Sequence, residues 1–337
     1  MKWSEEKANA WFAAKGFVFG FNYITSTAVN STEMWRRETF DPAAIGHELQ
    51  MAAGLGYNAC RVFLPFIVWE NDPHGFMERL TDFLAAAAKN RISVMPVLFD
   101  DCAFSNKEPY WGPQDAPVKG IHNSGWTPSP GFRTADDPSR VHVLEAYMQS
   151  VLTAYKNDSR IIAWDLYNEP GNSERGEKSL PLLENAFQWA RACGVTQPLT
   201  VGIWSDKAYE SRFCDLSDVI SFHEYGNLEK VKNTISQLRK YHRPMFCTEW
   251  LHRKAGSHFE THLPLWISEN VGAYQWGMVA GKTQTYLSWN KAENSSEKIP
   301  EIWQHDLLKA DGDAYDSKET GFIRKTININ QQGVVQP

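Results

Sequence analysis

The stretch Trp164-Asp-Leu-Tyr-Asn168-Glu169-Pro170 is an apolar run that predicts a β-strand with a glutamate at its carboxyl end. A second run, Met245-Phe-Cys-Thr-Glu249-Trp250, has the same design. On both sides of these runs, similar short segments alternate with segments of helical periodicity, which is the pattern of repeated βα units. The predicted strands cover residues 17–24, 59–66, 93–99, 161–167, 199–204, 219–223, 245–248 and 272–278. Their nearly continuous apolar character predicts a parallel sheet that is buried on both faces.

Eight βα units predict an α/β protein built as one (β/α)8 TIM barrel, with a single catalytic domain over residues 1–337. The predicted helices include residues 42–54, 76–89, 138–156, 182–193 and 228–241. Asp41 before Pro42 is a typical helix start, and Gly194 is a typical helix end.

The composition narrows the class of protein. The net charge is −6 and no Lys/Arg-rich run occurs, so we do not expect a nucleic-acid partner. No continuous apolar stretch approaches the length of a membrane span, so no membrane partner is expected either. The five cysteines show no paired spacing, which argues against a disulfide framework and a zinc cluster. We expect a soluble chain, either cytoplasmic or exported with its signal removed. The sequence gives no prediction of its oligomeric state.

The two strand-end glutamates carry the predicted chemistry. Parallel α/β barrels hold their active sites at the carboxyl ends of the strands. Because Glu169 and Glu249 lie three βα units apart, they are expected on opposite walls of the barrel mouth. Cleaving a glycosidic bond with retention needs a protonated and an ionised carboxyl group about 5–5.5 Å apart. We predict Glu169 as the acid/base and Glu249 as the nucleophile, with no metal and no cofactor. The alternative for each is an ordinary turn or strand-end residue.

Other strands supply candidate supporting residues. Arg61 lies inside the second predicted strand, where a buried guanidinium needs an anionic partner. That partner is either an active-site carboxylate or part of a structural ion pair. His223 and Tyr225 follow the sixth strand and are candidates for holding the nucleophile or a substrate hydroxyl, although His223 is equally compatible with a satisfied core position. Trp276 is placed in the eighth strand, as the floor under a sugar or as a core residue.

The run that ends in Asn168-Glu169-Pro170 resembles the acid/base signature of glycoside hydrolase family 5, within the clan A retaining glycosidases. The resemblance covers residues 15–330. It implies a site around the reacting sugar formed by Arg61, Asn168, Glu169, His223, Tyr225, Glu249 and Trp276. By this resemblance, Asn168 would hydrogen-bond the sugar 2-hydroxyl.

The chain departs from the family pattern at the end of the third strand. Members of the family often carry histidine there, whereas this chain has Asp100 followed by Asp101. We expect Asp100 to accept hydrogen bonds from sugar hydroxyls, so the sugar preference does not follow from the family. Gly171 is also unusual directly after the motif.

A long segment, residues 102–136, follows the third strand and is rich in Gly, Pro, Trp and Asn. Loops of this length in compact domains are usually functional or disordered, and its aromatic residues argue against disorder. We predict that it lies over the active-site face and shapes the substrate site, with Trp126 as a candidate sugar contact. If it closes one end of the cleft, short oligosaccharides are favoured.

Together these features predict a retaining glycoside hydrolase that cleaves β-linked glucan, mannan or xylan oligo- or polysaccharides by double displacement. The expected partner is therefore a carbohydrate substrate. Two alternatives stay open. One is an exo-acting β-glycosidase on short oligosaccharides, and the other is a catalytically silent carbohydrate-binding barrel.

Overall fold

The computed structural model describes residues 1–204, 209–295 and 298–333. Eight parallel strands form a closed barrel in chain order, and the last strand pairs with the first. The strands are β1 (Phe19–Tyr23), β2 (Ala59–Phe63), β3 (Ser93–Asp100), β4 (Trp164–Asn168), β5 (Leu199–Ile203), β6 (Ile220–His223), β7 (Met245–Trp250) and β8 (Gly272–Gln275).

Helices alternate with the strands, which confirms the predicted (β/α)8 barrel. They are α1 (Glu5–Ala13), α2 (Ser31–Trp35), α3 (Pro42–Gly54), α4 (Phe66–Asn71), α5 (Pro73–Lys89), α6 (Phe132–Asp136), α7 (Val141–Tyr155), α8 (Leu180–Cys193), α9 (Glu210–Leu216), α10 (Leu228–Leu238), α11 (Phe259–Ser268) and α12 (Ser317–Gly333). Short 3-10 turns occur at Pro138–Arg140, Gly176–Ser179, Arg239–Tyr241, Arg253–Ala255 and Lys291–Glu293.

The local sequence explains where several helices begin and end. The Asp41 carboxylate accepts hydrogen bonds from the backbone N–H groups of Ala43 and Ala44, and Pro42 occupies the first turn of α3. These contacts satisfy amide groups that have no partner inside the helix. Helix α8 ends at Gly194, which takes the left-handed conformation that terminates a helix. Both boundaries agree with those predicted from the sequence.

The second and the eighth predicted strands run three residues past the carboxyl ends of the strands that form. The second ends at Phe63, because Leu64 and Pro65 lead directly into α4. The eighth ends at Gln275, which leaves Trp276 just beyond β8. Gly277 has a φ of +77°, and a side chain there would collide with Asp306. The chain therefore turns at this point.

Side chains from the starts of the strands close the amino-terminal end of the barrel. Phe12 of α1 packs edge-on against Phe246 of β7, with ring centroids 5.3 Å apart. Both belong to a buried cluster that also contains Met95 and Tyr274. Because side chains fill this end of the barrel, a cavity inside the barrel can open only at the carboxyl ends of the strands. In the part of the chain that the structure describes, no helix is long and apolar enough to cross a membrane.

Candidate active site

A cavity of about 850 Å³ lies at the carboxyl ends of the strands. This volume is in the usual range for small-molecule sites. Its walls come from the ends of β3 to β8 and the segments that follow them. Glu169 and Glu249 both line the cavity, together with Asn168, His223 and Tyr225.

The fold brings the two glutamates together. Glu169 follows β4 and is 8% exposed, whereas Glu249 lies in β7 and is 5% exposed. One carboxylate oxygen of Glu169 and one of Glu249 lie within 4.8 Å of each other. A retaining mechanism requires about 5–5.5 Å between its two carboxyl groups, while an inverting mechanism needs about 6.5–9.5 Å. The pair therefore has the spacing of a retaining site.

Glu249 is held by a permanent cation. Arg61 Nη1 donates to Glu249 Oε1 at 2.8 Å, and Tyr225 Oη donates to Glu249 Oε2 at 2.6 Å. Arg61 is fully buried, and its Nε also donates to Asp165 Oδ2 at 2.9 Å. One guanidinium thus binds a carboxylate that lines the cavity and a second one inside the barrel. This double role accounts for a charged arginine in a core strand.

Glu169 has a different environment. Its φ of +48° is in the left-handed region, which is uncommon for a residue with a side chain and tends to occur at functional sites. His223 Nδ1 lies 2.5 Å from Glu169 Oε1. Asn172 donates its amide N–H to Glu169 Oε2, and the Cys102 thiol lies 3.1 Å from the same oxygen. The carboxylate is therefore surrounded by neutral donors and one titratable ring.

The turn after Glu169 explains the unusual glycine. Gly171 has a φ of +91°, where a side chain would be strained. Its N–H donates to Asp101 Oδ2 at 2.8 Å, and Asp101 Oδ1 accepts from Tyr167 Oη at 2.7 Å. Asp101 therefore anchors the turn that presents Glu169.

Asn168 is fixed in one orientation. Its Oδ1 accepts from Arg61 Nη2 at 2.6 Å, and its Nδ2 donates to Asp100 Oδ1 at 2.8 Å. The other oxygen of Asp100 accepts from Trp126 Nε1 at 2.7 Å. Asp100 is 3% exposed and lies behind the cavity wall, so its oxygens face protein donors instead of the cavity. Burial raises the pKa of Asp100 to about 7.

An aromatic cluster bounds the cavity on the side of β2 and β8. Trp126 and Trp276 have ring centroids 5.8 Å apart, and Phe63 packs edge-on against both. Trp126 is 2% exposed, whereas Trp276 is half-buried. Of these three rings, Trp276 exposes the most surface to the cavity.

Burial and nearby charges separate the two carboxyl groups. Burial raises the pKa of Glu249, and the charge of Glu169 adds to this effect against the opposing charges of His223 and Arg61. Burial acts in the same way on Glu169, but the charge of His223 and the hydrogen bonds from His223, Cys102 and Asn172 outweigh it, so the pKa of Glu169 is lowered. A charged His223 thus favours an ionised Glu169.

Three atoms of this site are also close enough to bind a cation. One ligand atom each from Glu169, His223 and Glu249 lie within 4.8 Å of one another. Carboxylate and imidazole groups suit zinc and similar metals. The prediction that catalysis uses no metal stays a prediction.

The loop 102–136 contacts the segment after β8. The backbone N–H of Asn123 donates to Thr283 O at 2.7 Å, and the Gln284 amide donates to Val118 O at 2.8 Å. His122 Nδ1 lies 2.9 Å from Leu287 O. These bonds join the loop to the segment after β8, on the other side of β1 and β2.

Trp289 and the segment after β1 extend this contact. Trp289 Nε1 donates to His122 Nε2 at 3.1 Å, which places its indole at the cavity edge. Asn30 Nδ2 donates to Gly125 O at 2.8 Å, and the Lys282 ammonium lies 2.8 Å from Glu33. The segments after β1, β3 and β8 therefore form a continuous wall, which we call the closed rim.

Several residues of the site escaped sequence reasoning. Asp165 could have been found, because an acidic residue inside an apolar strand needs a partner such as Arg61. Cys102, Asn172, His122 and Trp289 lie in loops, and their sequence context gives no signal of where they point.

Comparisons with known proteins agree with this geometry. The family model described as Cellulase (glycosyl hydrolase family 5) matches residues 25–299. No curated protein sequence matches the chain significantly.

Solved structures match at low sequence identity. An exo-beta-1,4-mannosidase from Opitutaceae bacterium strain TAV5 is 16% identical with a TM-score of 0.67, covering 95% of this chain and 60% of that one. The chain thus spans less than two thirds of that protein. A GH5_18 variant from Streptomyces cattleya, in complex with Manb1-4GlcNAc, is 14% identical with a TM-score of 0.62, covering 96% and 82%.

A third match is an endo-1,4-beta-mannanase from Rhizomucor miehei, which is 14% identical with a TM-score of 0.59, covering 94% of this chain and 95% of that one. At these identities the likeness shows the fold, whereas the family model covers most of the chain. This supports an enzyme over a catalytically silent barrel. The predicted resemblance is confirmed: the chain belongs to glycosyl hydrolase family 5.

Proposed function

We propose that this enzyme is an exo-acting β-glycosidase that releases one terminal sugar from short β-linked oligosaccharides, with β-1,4-linked mannose as the first candidate. The observation that carries the proposal is the closed rim. A polysaccharide chain that runs through a cleft needs both ends of the cleft open, whereas a terminal sugar fits against a wall.

The shape of the cavity supports this assignment. Towards the closed rim it is bounded by Trp126, Trp276 and Trp289. In the other direction it continues past Trp204 and along the polar face of α10. We assign the closed end to the terminal sugar and the open end to the leaving group, which carries the remaining hydroxyl-rich sugars.

We assign the steps of double displacement to the two glutamates. Glu249 attacks the anomeric carbon, while Glu169 donates a proton to the departing oxygen. Water then attacks the anomeric carbon of the glycosyl-enzyme. Glu169 accepts a proton from this water, and Glu249 leaves as a carboxylate. The separation of the two carboxylates, within 4.8 Å, supports this assignment.

Proton supply needs one further step. Glu169 must be protonated in the first displacement, whereas a charged His223 favours its ionised form. The hydrogen bond of 2.5 Å between His223 Nδ1 and Glu169 Oε1 provides a direct path. We propose that this pair shares one proton, which lies on Glu169 before it is donated to the departing oxygen.

The choice of mannose has separate support. Structures similar to this one include an exo-beta-1,4-mannosidase and a protein in complex with Manb1-4GlcNAc. Because an endo-1,4-beta-mannanase is also similar, the mode of cleavage has to be measured.

The test uses β-1,4-manno-oligosaccharides of several lengths, compared with cello- and xylo-oligosaccharides, with products sized by chromatography. We expect monosaccharide as the first product at every length. An oligosaccharide blocked at its non-reducing end should resist cleavage and serves as the matched control. Early release of di- and trisaccharides, or cleavage of the blocked substrate, would refute exo action.

A further inference from the structure

Cys102 is a thiol in direct contact with the carboxylate assigned to acid/base catalysis. Its Sγ lies 3.1 Å from Glu169 Oε2 and lines the cavity. The amide N–H groups of Asn168 and Asn172 each donate to the same sulfur at 3.5 Å. Since two donors occupy the acceptor side of the sulfur, the S–H hydrogen is directed towards Glu169.

The backbone fixes this thiol in place. The N–H of Cys102 donates to Asp100 Oδ1 at 2.9 Å, at the end of β3. The next N–H, that of Ala103, donates to Ser173 Oγ at 3.1 Å in the turn after Glu169. Cys102 therefore lies between β3 and the turn that carries the carboxylate.

The thiol keeps its proton in this position. Burial raises the pKa of Cys102 well above its ordinary value, and the charges of Glu169 and Asp100 add to the shift. The site therefore favours a neutral thiol at Cys102, which is a weak hydrogen-bond donor.

We propose that Cys102 is a positioning residue for Glu169, whose S–H donor holds the carboxyl group in place while leaving it basic enough to bind a proton. The inference rests on the acid/base role proposed for Glu169. A carboxylate that alternates between acid and base must be ionised in one step and protonated in the other. A hydroxyl donor would stabilise the ionised form more strongly, and an apolar side chain would not stabilise it at all.

The test compares C102S and C102A with the natural enzyme through the pH dependence of kcat/KM. With a poor leaving group, the alkaline limb reports loss of the proton from the acid. We expect the limb to move down by about half a pH unit in C102S and up by about the same amount in C102A. With 2,4-dinitrophenyl glycosides, which need little proton donation, the three enzymes should differ much less.

Two controls make the outcome decisive. Cys193 lies at the end of α8, outside the cavity, so C193S should leave the limb unchanged. An unchanged limb in both Cys102 variants, or a shift of both in the same direction, would overturn the proposal. E169A is measured first: if its loss of rate does not depend on the leaving group, the acid/base assignment itself fails, which is distinct from a failure of Cys102 alone.

Discussion

Glu249 and Glu169 line the same cavity but differ in what holds them. Glu249 lies in a strand and is bound by Arg61, whose positive charge is permanent. Glu169 lies just beyond a strand, in a left-handed conformation, and its only charged partner is the titratable His223 among the described contacts. Arg61 and Tyr225 oppose the burial that raises the pKa of Glu249, whereas a charged His223 lowers the pKa of Glu169. The roles proposed above therefore depend on the proton that Glu169 shares with His223.

This difference shows how one cavity gives two identical side chains different electrostatic surroundings. The permanent cation is buried, so it belongs as much to the barrel as to the catalytic site. The donors around Glu169 come from loops and from the end of β6. The barrel thus provides the permanent charge beside Glu249. The hydrogen-bond donors to Glu169 come from the strand ends and from the segments that follow them.

The largest effect is expected from E249A. Removing the nucleophile should lower kcat on the order of 10⁵-fold for all substrates. Added azide should occupy the vacated space, attack from the face of Glu249 and give a glycosyl azide of inverted configuration, identified by NMR. E210A is the matched control, since Glu210 is another glutamate of the cavity wall and should retain turnover. Unchanged activity of E249A would disprove its role.

The second effect is expected from E169A and depends on the substrate. Proton donation contributes about 10²–10⁴-fold to rate, so poor leaving groups should lose that much in the first displacement. Substrates with 2,4-dinitrophenol should form the glycosyl-enzyme readily, and azide should then restore turnover with retained configuration. An azide product of inverted configuration would mean that the roles of the two glutamates are exchanged.

A smaller effect is expected from Y225F, which removes the donor to Glu249 Oε2 while preserving the ring. A hydrogen bond to a charged group is worth about 1.5–3 kcal/mol, so kcat/KM should fall roughly 10- to 100-fold. Because that bond favours the ionised carboxylate, the acid limb of the pH profile should also move up. Y286F, which alters a tyrosine outside the cavity, is the control. A change in the alkaline limb alone would contradict this account.

The smallest effect is expected from H223N, measured as a shift of the pH profile. The charge of His223 lowers the pKa of both Glu169 and Glu249, so its removal should raise both. The two limbs should therefore move to higher pH together, by about one unit. H74N, at an exposed histidine, should leave the profile in place. Movement of the limbs in opposite directions would show that His223 does not act through its charge.

The strands and both glutamates were predictable because each is marked by a local pattern. An apolar run that ends in a carboxylate is visible along the chain, and parallel topology then places every such end on one face. Arg61 was visible for a related reason, because a charge in an apolar strand demands a partner. The length of the eighth strand was overestimated, since the turn at Gly277 depends on its contact with Asp306.

Asp100 shows where local reasoning stops. Its position at the end of β3 suggested a contact with sugar hydroxyls, yet both of its oxygens accept from protein groups, namely Asn168, Trp126 and the backbone of Cys102. Trp126 is separated from Asp100 along the chain by a long loop, and no periodic pattern indicates where that loop folds.

The sequence by itself determined the barrel, the end of the barrel that holds the cavity, and the two carboxylates that line it, because hydrophobic periodicity and strand direction are local properties. Tertiary structure decided the closed rim, the donors around Glu169 and the placement of Asp100. These depend on side chains that meet across distant loops, and their hydrogen bonds form only after the barrel has brought those loops together.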